Sequence, residues 1–249
     1  MRFFWQWLTP LAFNDKMQQD RYLSVIVPVY NEEGTIATVI DQLVELPGLL
    51  EIIVVDDCSS DRTPRILQEA MEQHSHIVGI RHEKNKGKTA ALKTAIQRTR
   101  GSVVVIQDGD LEYQPKEISD LIKPILEGRA DVVYGSRFLR RDTAICAYPQ
   151  QYTVNRALTA VMNVAFGLRL TDVETCYKAF RGEILRKMRI TSSGFGFEIE
   201  ITARLAKVGY RILEHSITYR GRRYAAGKKV MPRDLLAAFF YVFRFSLIA

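Results

Sequence analysis

Three short β-branched runs, each halted abruptly by polar and acidic residues, constrain this chain more than any other feature. Leu23 to Val29 (LSVIVPV) runs into Tyr30-Asn31-Glu32-Glu33-Gly34, Ile52 to Val55 into Asp56-Asp57-Cys58-Ser59-Ser60-Asp61, and Val103 to Gln107 into Asp108-Gly109-Asp110. Nearly continuous apolar runs of this length suit strands buried on both faces. Helical spacing separates them. Ile36, Val39, Ile40 and Leu43 mark a helix within Thr35 to Leu46, Arg62 to Gln73 predicts a second, capped by Ser60 or Asp61, and Lys88 to Arg100 predicts a third. A further strand is expected at Ile77 to Arg81, a helix from Pro115 to Glu127, and a strand at Asp131 to Tyr134. Strands alternating with helices build a mainly parallel sheet with right-handed crossovers, and such sheets bind ligands beyond the carboxyl ends of their strands. The three polar clusters therefore share one rim.

Beyond this half the pattern loosens. Phe138 to Ala147 reads as a loop, Gln151 to Phe166 and Glu198 to Val208 as helices, and Tyr210 to Tyr219 as a strand. The 249 residues show no repeat and no linker, so a single α/β domain is expected over residues 21–230. Its flanks differ from it. Met1 to Phe13 (MRFFWQWLTPLAF) is aromatic and has no small-residue cleavage site, and Leu235 to Ala249 (LLAAFFYVFRFSLIA) is apolar around Arg244. Neither reaches the roughly 20 apolar residues of a spanning helix. Segments 1–20 and 231–249 are read as hydrophobic ends at a membrane interface, where Trp, Phe and basic residues are at home, with core burial as the alternative. Cys58, Cys146 and Cys176 form no CxxC pair, which argues against a disulfide framework and fits a reducing compartment.

Thirty-five Lys+Arg against 28 Asp+Glu give a net charge of +7. That excess favours phosphate-bearing partners or an anionic membrane surface. The basic residues cluster at Arg137, Arg140 and Arg141, and again at Arg220, Arg222, Arg223, Lys228 and Lys229. They lack the aromatic interleaving of a single-strand binder and flank an acidic rim, so nucleic acid is not expected as a partner.

The strongest chemical signal is Asp108-Gly109-Asp110-Leu111-Glu112 at a strand end. Alternate acidic residues there offer hard oxygen ligands to a divalent ion that shares its coordination with a diphosphate. A solvated turn is the bland alternative, and the neighbouring Asp56-Asp57 on the same rim weighs against it. Asp56 and Asp57 suit hydrogen bonds to a base or ribose, while Pro28-Val29-Tyr30-Asn31-Glu32 adds an aromatic face and a carboxylate. Other chemistries lose their signatures. Asn85-Lys86-Gly87-Lys88-Thr89 mimics the end of a P-loop, but the first glycine would fall at His82. No G-x-G-x-x-G, G-x-S-x-G or H-E-x-x-H is present, and His74, His76, His82 and His215 share no ligand spacing.

Pro28-Val-Tyr-Asn-Glu32, Val55-Asp-Asp57 and Asp108-Gly-Asp110, in this order and spacing, resemble the family 2 glycosyltransferases of GT-A fold. The subgroup is similar to dolichyl-phosphate mannose synthases and bacterial polyprenyl-phosphate glycosyltransferases. Gly135-Ser136-Arg137, Asp172 to Arg181 (DVETCYKAFR), Gly196-Phe197-Glu198 and Arg222 through Lys228 extend the likeness over residues 22–230. The resemblance implies a Rossmann-like, mainly parallel sheet flanked by helices. It implies a nucleoside pocket from Pro28, Tyr30, Glu32, Val55 and Asp57, and a nucleotide-sugar motif from Asp108, Gly109 and Asp110. Asp108, Asp110 and Glu112 become the ligands of Mg2+ or Mn2+, and Arg137, Arg222 and Lys228 the cations around the diphosphate and the acceptor phosphate. Two departures stand out. Glu112 replaces the Gln common at the third metal position of the mannose synthases, and Gln151 to Asn155 lacks their basic segment.

The function so implied is metal-dependent, inverting transfer of a sugar from a UDP- or GDP-linked donor to a dolichyl- or undecaprenyl-type phosphate. The enzyme would sit at the cytoplasmic face of a membrane, peripheral or weakly anchored. A phosphate acceptor is largely dianionic near neutrality and needs no strong base. A glycan, lipid or protein hydroxyl acceptor would need one, and Asp172 and Glu198 are the candidates, with Asp172 preferred. A catalytically silent nucleotide-sugar-binding membrane protein is the remaining alternative.

Overall fold

The computed structural model describes residues 21–139, 144–145, 149–194, 196–222 and 241–246. Seven strands form one sheet in the order β3-β2-β1-β4-β7-β5-β8. These are β1 (Leu23–Val29), β2 (Leu49–Asp56), β3 (Ile77–Arg81), β4 (Val103–Ile106), β5 (Val132–Ser136), β7 (Lys178–Arg181) and β8 (Ile212–Ser216). Every pairing is parallel except the two made by β7, which lies antiparallel between β4 and β5. The mainly parallel sheet is thus as expected, and the reversed strand within Asp172 to Arg181 is new. Its charged ends, Lys178 and Arg181, hide it from a hydrophobicity pattern.

Side chains alternate across the sheet. Leu23, Val25, Val27 and Val29 join one core, covered by α1 (Ile36–Val44), α2 (Thr63–Gln73) and α4 (Ile118–Leu126). Ile26, Ile53, Val55 and Val104 face the other. There they meet α3 (Lys88–Ile96), α5 (Pro149–Phe166), α6 (Gly182–Lys187) and α7 (Phe197–Val208). Covering both faces is what lets the strands be apolar throughout.

Some boundaries move. Helix α3 stops at Ile96, where Thr99 Oγ1 caps the Ile96 carbonyl at 2.8 Å and the chain turns under β1. A Cβ on Gly101 would come within 2.6 Å of the Tyr22 carbonyl, so only glycine fits that passage. The strand expected over Tyr210 to Tyr219 is broken: Ile217 N–H bonds Ser136 O and Thr218 N–H bonds the Glu117 carboxylate. The chain then leaves the main sheet as β9 (Tyr219–Arg220) and pairs with β6 (Ala144–Ile145), a strand inside the expected loop. This excursion carries Tyr219 and Arg222 over the carboxyl ends of β1 and β4. Segment 1–20 and most of 231–249 lie outside the described residues. Over 241–246 the chain is helical, with Val242 and Phe245 buried against the second core and Phe243 exposed. Among the described residues no helix is long and apolar enough to cross a membrane.

Candidate active site

The loops after β1, β2 and β4 meet at one rim, as the polar clusters predict. Asn31 and Cys58 both take positive φ there, 51° and 67°. Such backbone is costly for residues other than glycine and tends to mark functional loops. Asn31 offsets part of the cost by accepting the Ser60 N–H at 2.8 Å with its Oδ1, which ties the first two loops together.

Asp57 fixes the loop that follows β3. Its carboxylate accepts the backbone N–H of Lys86 (2.9 and 3.1 Å) and of Gly87 (2.7 Å), and pairs with His82 Nδ1 at 2.6 Å. Gly87 has φ 86°, and so its N–H can point at Asp57 while α3 begins at the next residue. Of the other residues expected around a nucleoside, Tyr30 is exposed and Val55 is fully buried in the second core. Pro28 is the half-buried penultimate residue of β1, paired in register with Val55.

The Asp-Gly-Asp motif follows the end of β4, as the apolar run before it predicts. Lys88 Nζ stands 2.6 Å from Asp108 Oδ1, 2.8 Å from Cys176 Sγ and 3.9 Å from Glu198 Oε1. Burial opposes the Lys88 charge, but Asp108 and then Cys176 and Glu198 hold its ammonium well above the usual lysine range. For Asp108 burial acts against ionisation and Lys88 wins, so its carboxyl is held below the ordinary value. Gly109 packs on Val29, and its carbonyl accepts from Thr35 Oγ1 at 2.9 Å.

Asp110 and Glu112 face Arg222. Arg222 Nη2 donates to Asp110 Oδ2 at 2.6 Å, and the Arg222 N–H to Glu112 Oε1 at 2.7 Å. Glu32 receives the same guanidinium at 2.9 and 3.2 Å. Burial first, and then the charges of Asp108 and Glu112, push the Asp110 carboxyl up to about 7. Glu112 also accepts from Tyr219 Oη at 2.8 Å, and Tyr219 in turn lies under Arg137, whose guanidinium is 5.0 Å from its ring. Arg137 is bound to Asp172 through Nε (2.7 Å), Nη2 (2.8 Å) and its backbone N–H (3.1 Å).

The rim therefore joins Glu32, Asp108, Asp110 and Glu112 to Lys88, Arg222 and, through Tyr219, Arg137. Hard carboxylate oxygens are the donor set a Mg2+ or Mn2+ ion needs, and a guanidinium already stands among three of them as a cation. Among the described residues no three acidic, thiol or imidazole groups form a ready metal cage, because Glu32, Asp110 and Glu112 converge on Arg222. Lys228, Arg140 and Arg141 lie outside the described residues.

Two participants escape the sequence reading. Lys88 sits in the segment set aside as a failed P-loop, and a Gly-Lys pair opening a helix beside an acidic strand end is the signal that finds it. Glu174 lies between Asp172 and Cys176. Its Oε1 is sealed from solvent without a partner, and burial, with Glu198 next, pushes its carboxyl up to about 8. Nothing in the local sequence distinguishes it from a solvated loop residue.

Comparison with known proteins matches this arrangement to a family. Residues 24–189 fit the model of "Glycosyl transferase family 2". The chain is 30% identical over 176 residues to an undecaprenyl-phosphate 4-deoxy-4-formamido-L-arabinose transferase of Photorhabdus laumondii, covering 69% of this chain and 52% of that one. It is 26% identical over 246 residues to a dodecaprenyl-phosphate galacturonate synthase of Rhizobium johnstonii, covering 94% of this chain and 71% of that one. With a hexosyltransferase of low-salt glycan biosynthesis from Haloferax volcanii it shares 30% over 215 residues, 84% of this chain and 50% of the other. The chain thus spans about half the length of several curated relatives it matches. Among solved structures, glucosyl-3-phosphoglycerate synthase of Mycobacterium tuberculosis superposes with a TM-score of 0.72 at 22% identity, over 100% of this chain and 85% of that one. The fold is GT-A, and the chain belongs to glycosyl transferase family 2.

Proposed function

We propose that residues 21–230 transfer a sugar from a UDP- or GDP-linked donor to a polyprenyl phosphate. The reaction would invert the anomeric carbon and use Mg2+ or Mn2+ held by Asp108, Asp110 and Glu112. One observation carries the reading: four carboxylates at the strand ends stand with three cations, Lys88, Arg137 and Arg222, on one rim. Such a site suits two anionic groups at once. The acidic half would share a divalent ion with a diphosphate, and the ion would stabilise charge on that leaving group. The basic half would screen the repulsion between the diphosphate and an incoming phosphate. The Mycobacterium tuberculosis synthase of the same fold is known in complex with Mn2+ and UDP.

The acceptor reading draws on the relatives, whose names specify undecaprenyl- and dodecaprenyl-phosphate. Local chemistry agrees with it. An inverting attack by a hydroxyl would require a base, yet both oxygens of Asp172 are taken by Arg137. Glu198, the other candidate base, already faces a cation, with the Lys88 ammonium 3.9 Å and Cys176 Sγ 4.0 Å from its Oε1. A phosphate oxygen needs neither. Asp172 is then the residue that orients Arg137, and Arg137 is the candidate to meet the acceptor phosphate. A polyprenyl phosphate shows its head group at the bilayer surface, so the enzyme would work there, peripheral or weakly anchored at the cytoplasmic face, aided by its net +7 charge.

The test uses purified protein, Mn2+ or Mg2+, undecaprenyl phosphate and labelled UDP- and GDP-sugars, followed by organic extraction. Label should enter the lipid phase only when both metal and lipid are present. Nucleotide release with all label left in water would overturn the acceptor, and absence of release from every donor would favour a silent binder.

A further inference from the structure

Arg222 occupies the centre of the acidic rim. Its Nη1 and Nη2 reach Glu32 at 2.9 and 3.2 Å, Nη2 reaches Asp110 at 2.6 Å, and Nε stands 3.7 Å from Glu112. Loops after β1 and β4 thus aim three carboxylates at one guanidinium that arrives 190 residues downstream of Glu32. A side chain so placed is itself the counter-ion of the site. It also holds two of the carboxylates that a divalent ion would need. A guanidinium and a divalent ion a few ångströms apart repel, more strongly in a partly buried site than in water, so they compete for these oxygens.

We propose that Arg222 is an internal cation that occupies the acidic rim of the free enzyme, and that it transfers to the donor's diphosphate when metal and nucleotide arrive together. The inference rests on the metal-and-donor reading above. Metal alone would have to take Asp110 and Glu112 from Arg222 and leave its guanidinium with Glu32 as its one remaining carboxylate among the three. A nucleotide removes that cost, because its diphosphate offers the planar fork a bidentate replacement. Metal and nucleotide binding should therefore be strongly coupled, and Arg222 should carry the coupling.

Mn2+ titration of the full chain, followed by the EPR signal of the free ion, tests this without any turnover. Wild type, Arg222→Met and Glu32→Gln are compared without nucleotide, and again with UDP or GDP. Arg222→Met should bind Mn2+ about tenfold more tightly in the absence of nucleotide. The enhancement that nucleotide gives to Mn2+ affinity should shrink by a similar factor. Glu32→Gln loosens the anchor while sparing Asp110 and Glu112, and should shift both quantities the same way by about threefold. It carries the test if circular dichroism shows that Arg222→Met does not fold. Unchanged or weaker Mn2+ binding in the variants overturns the proposal. So does tighter binding with undiminished nucleotide enhancement, which marks a bulk charge effect. If wild type and variants alike fail to bind Mn2+ with either nucleotide, the metal reading itself falls.

Discussion

Arg137 grips Asp172 at three points: Nε at 2.7 Å, Nη2 at 2.8 Å and the backbone N–H at 3.1 Å. Asp172 is fully buried and Arg137 nearly so. The pair bears on what a carboxylate at this position can do. A general base needs a free oxygen directed at substrate, whereas Asp172 spends both oxygens fixing a guanidinium between the rings of Phe138 and Tyr219.

Removing Asp172 should consequently unfold more than it disarms. Asp172→Ala leaves a buried guanidinium unpaired and should lower the unfolding free energy by about 3–5 kcal/mol, with Asp172→Asn costing less. Urea denaturation measures both. A variant with unaltered stability and no turnover would restore the base assignment.

Asp57 should act on the donor through the Lys86–Gly87 loop. Asp57→Ala frees two backbone N–H groups and His82 together, at a cost of about 2 kcal/mol in stability. The donor KM should rise more than kcat falls, and limited proteolysis should find new cleavage between Glu83 and Lys88. Steady-state kinetics with varied donor separates the two effects.

Lys88 neutralises Asp108 and lies near Glu198. Lys88→Met should lower kcat by about a hundredfold, the scale on which losing one preorganised charged group acts. Lys88→Arg should not restore it, because a planar guanidinium cannot take the place of a compact ammonium held between Asp108 and Cys176. Full activity in Lys88→Met would remove Lys88 from the machinery, and full activity in Lys88→Arg would show that any cation suffices there.

Asp110→Ala should abolish turnover and weaken metal-dependent donor binding while the protein stays folded. Chelation of wild type with EDTA should reproduce the loss, and Mn2+ or Mg2+ should reverse it only in wild type. Calorimetry with and without metal reads the difference. Normal turnover in Asp110→Ala would sink the metal assignment.

Glu174 sets a pH dependence of stability. Its carboxyl is raised to about 8 in the folded protein, against about 4.3 in an unfolded chain. Between those values the folded protein holds a proton that the unfolded chain has lost. The group's favourable contribution is therefore complete below the unfolded pKa and disappears as pH climbs toward the folded one. Glu174→Gln cannot lose it. Its stability relative to wild type should improve steadily from about pH 5 to pH 8 in chemical denaturation. A difference that does not vary with pH would show that Glu174 titrates normally.

How legible all this was depends on how local each cause is. The β1, β2 and β4 runs and the acidic clusters that stop them could be read directly. A strand buried on both faces must be apolar throughout, and its exit must turn. Strand β7 could not be read so. Lys178 is buried within it because its ammonium donates to the carbonyls of Val173 and Thr175 and lies 4.5 Å from the Tyr134 ring. None of those partners advertises a buried lysine in sequence.

By itself, the sequence determined the α/β alternation, the shared rim and the oxygen-rich character of the Asp108–Glu112 turn. Each follows from residue type at short range. Only the tertiary structure decided which charge answers which. Arg137 meets Asp172 across 35 residues, Lys88 meets Asp108 across 20, and Arg222 meets Glu32 across 190. Electrostatic partners are selected by distance in space, and that distance is created by the order of strands in the sheet and by the break that sends β9 over the rim.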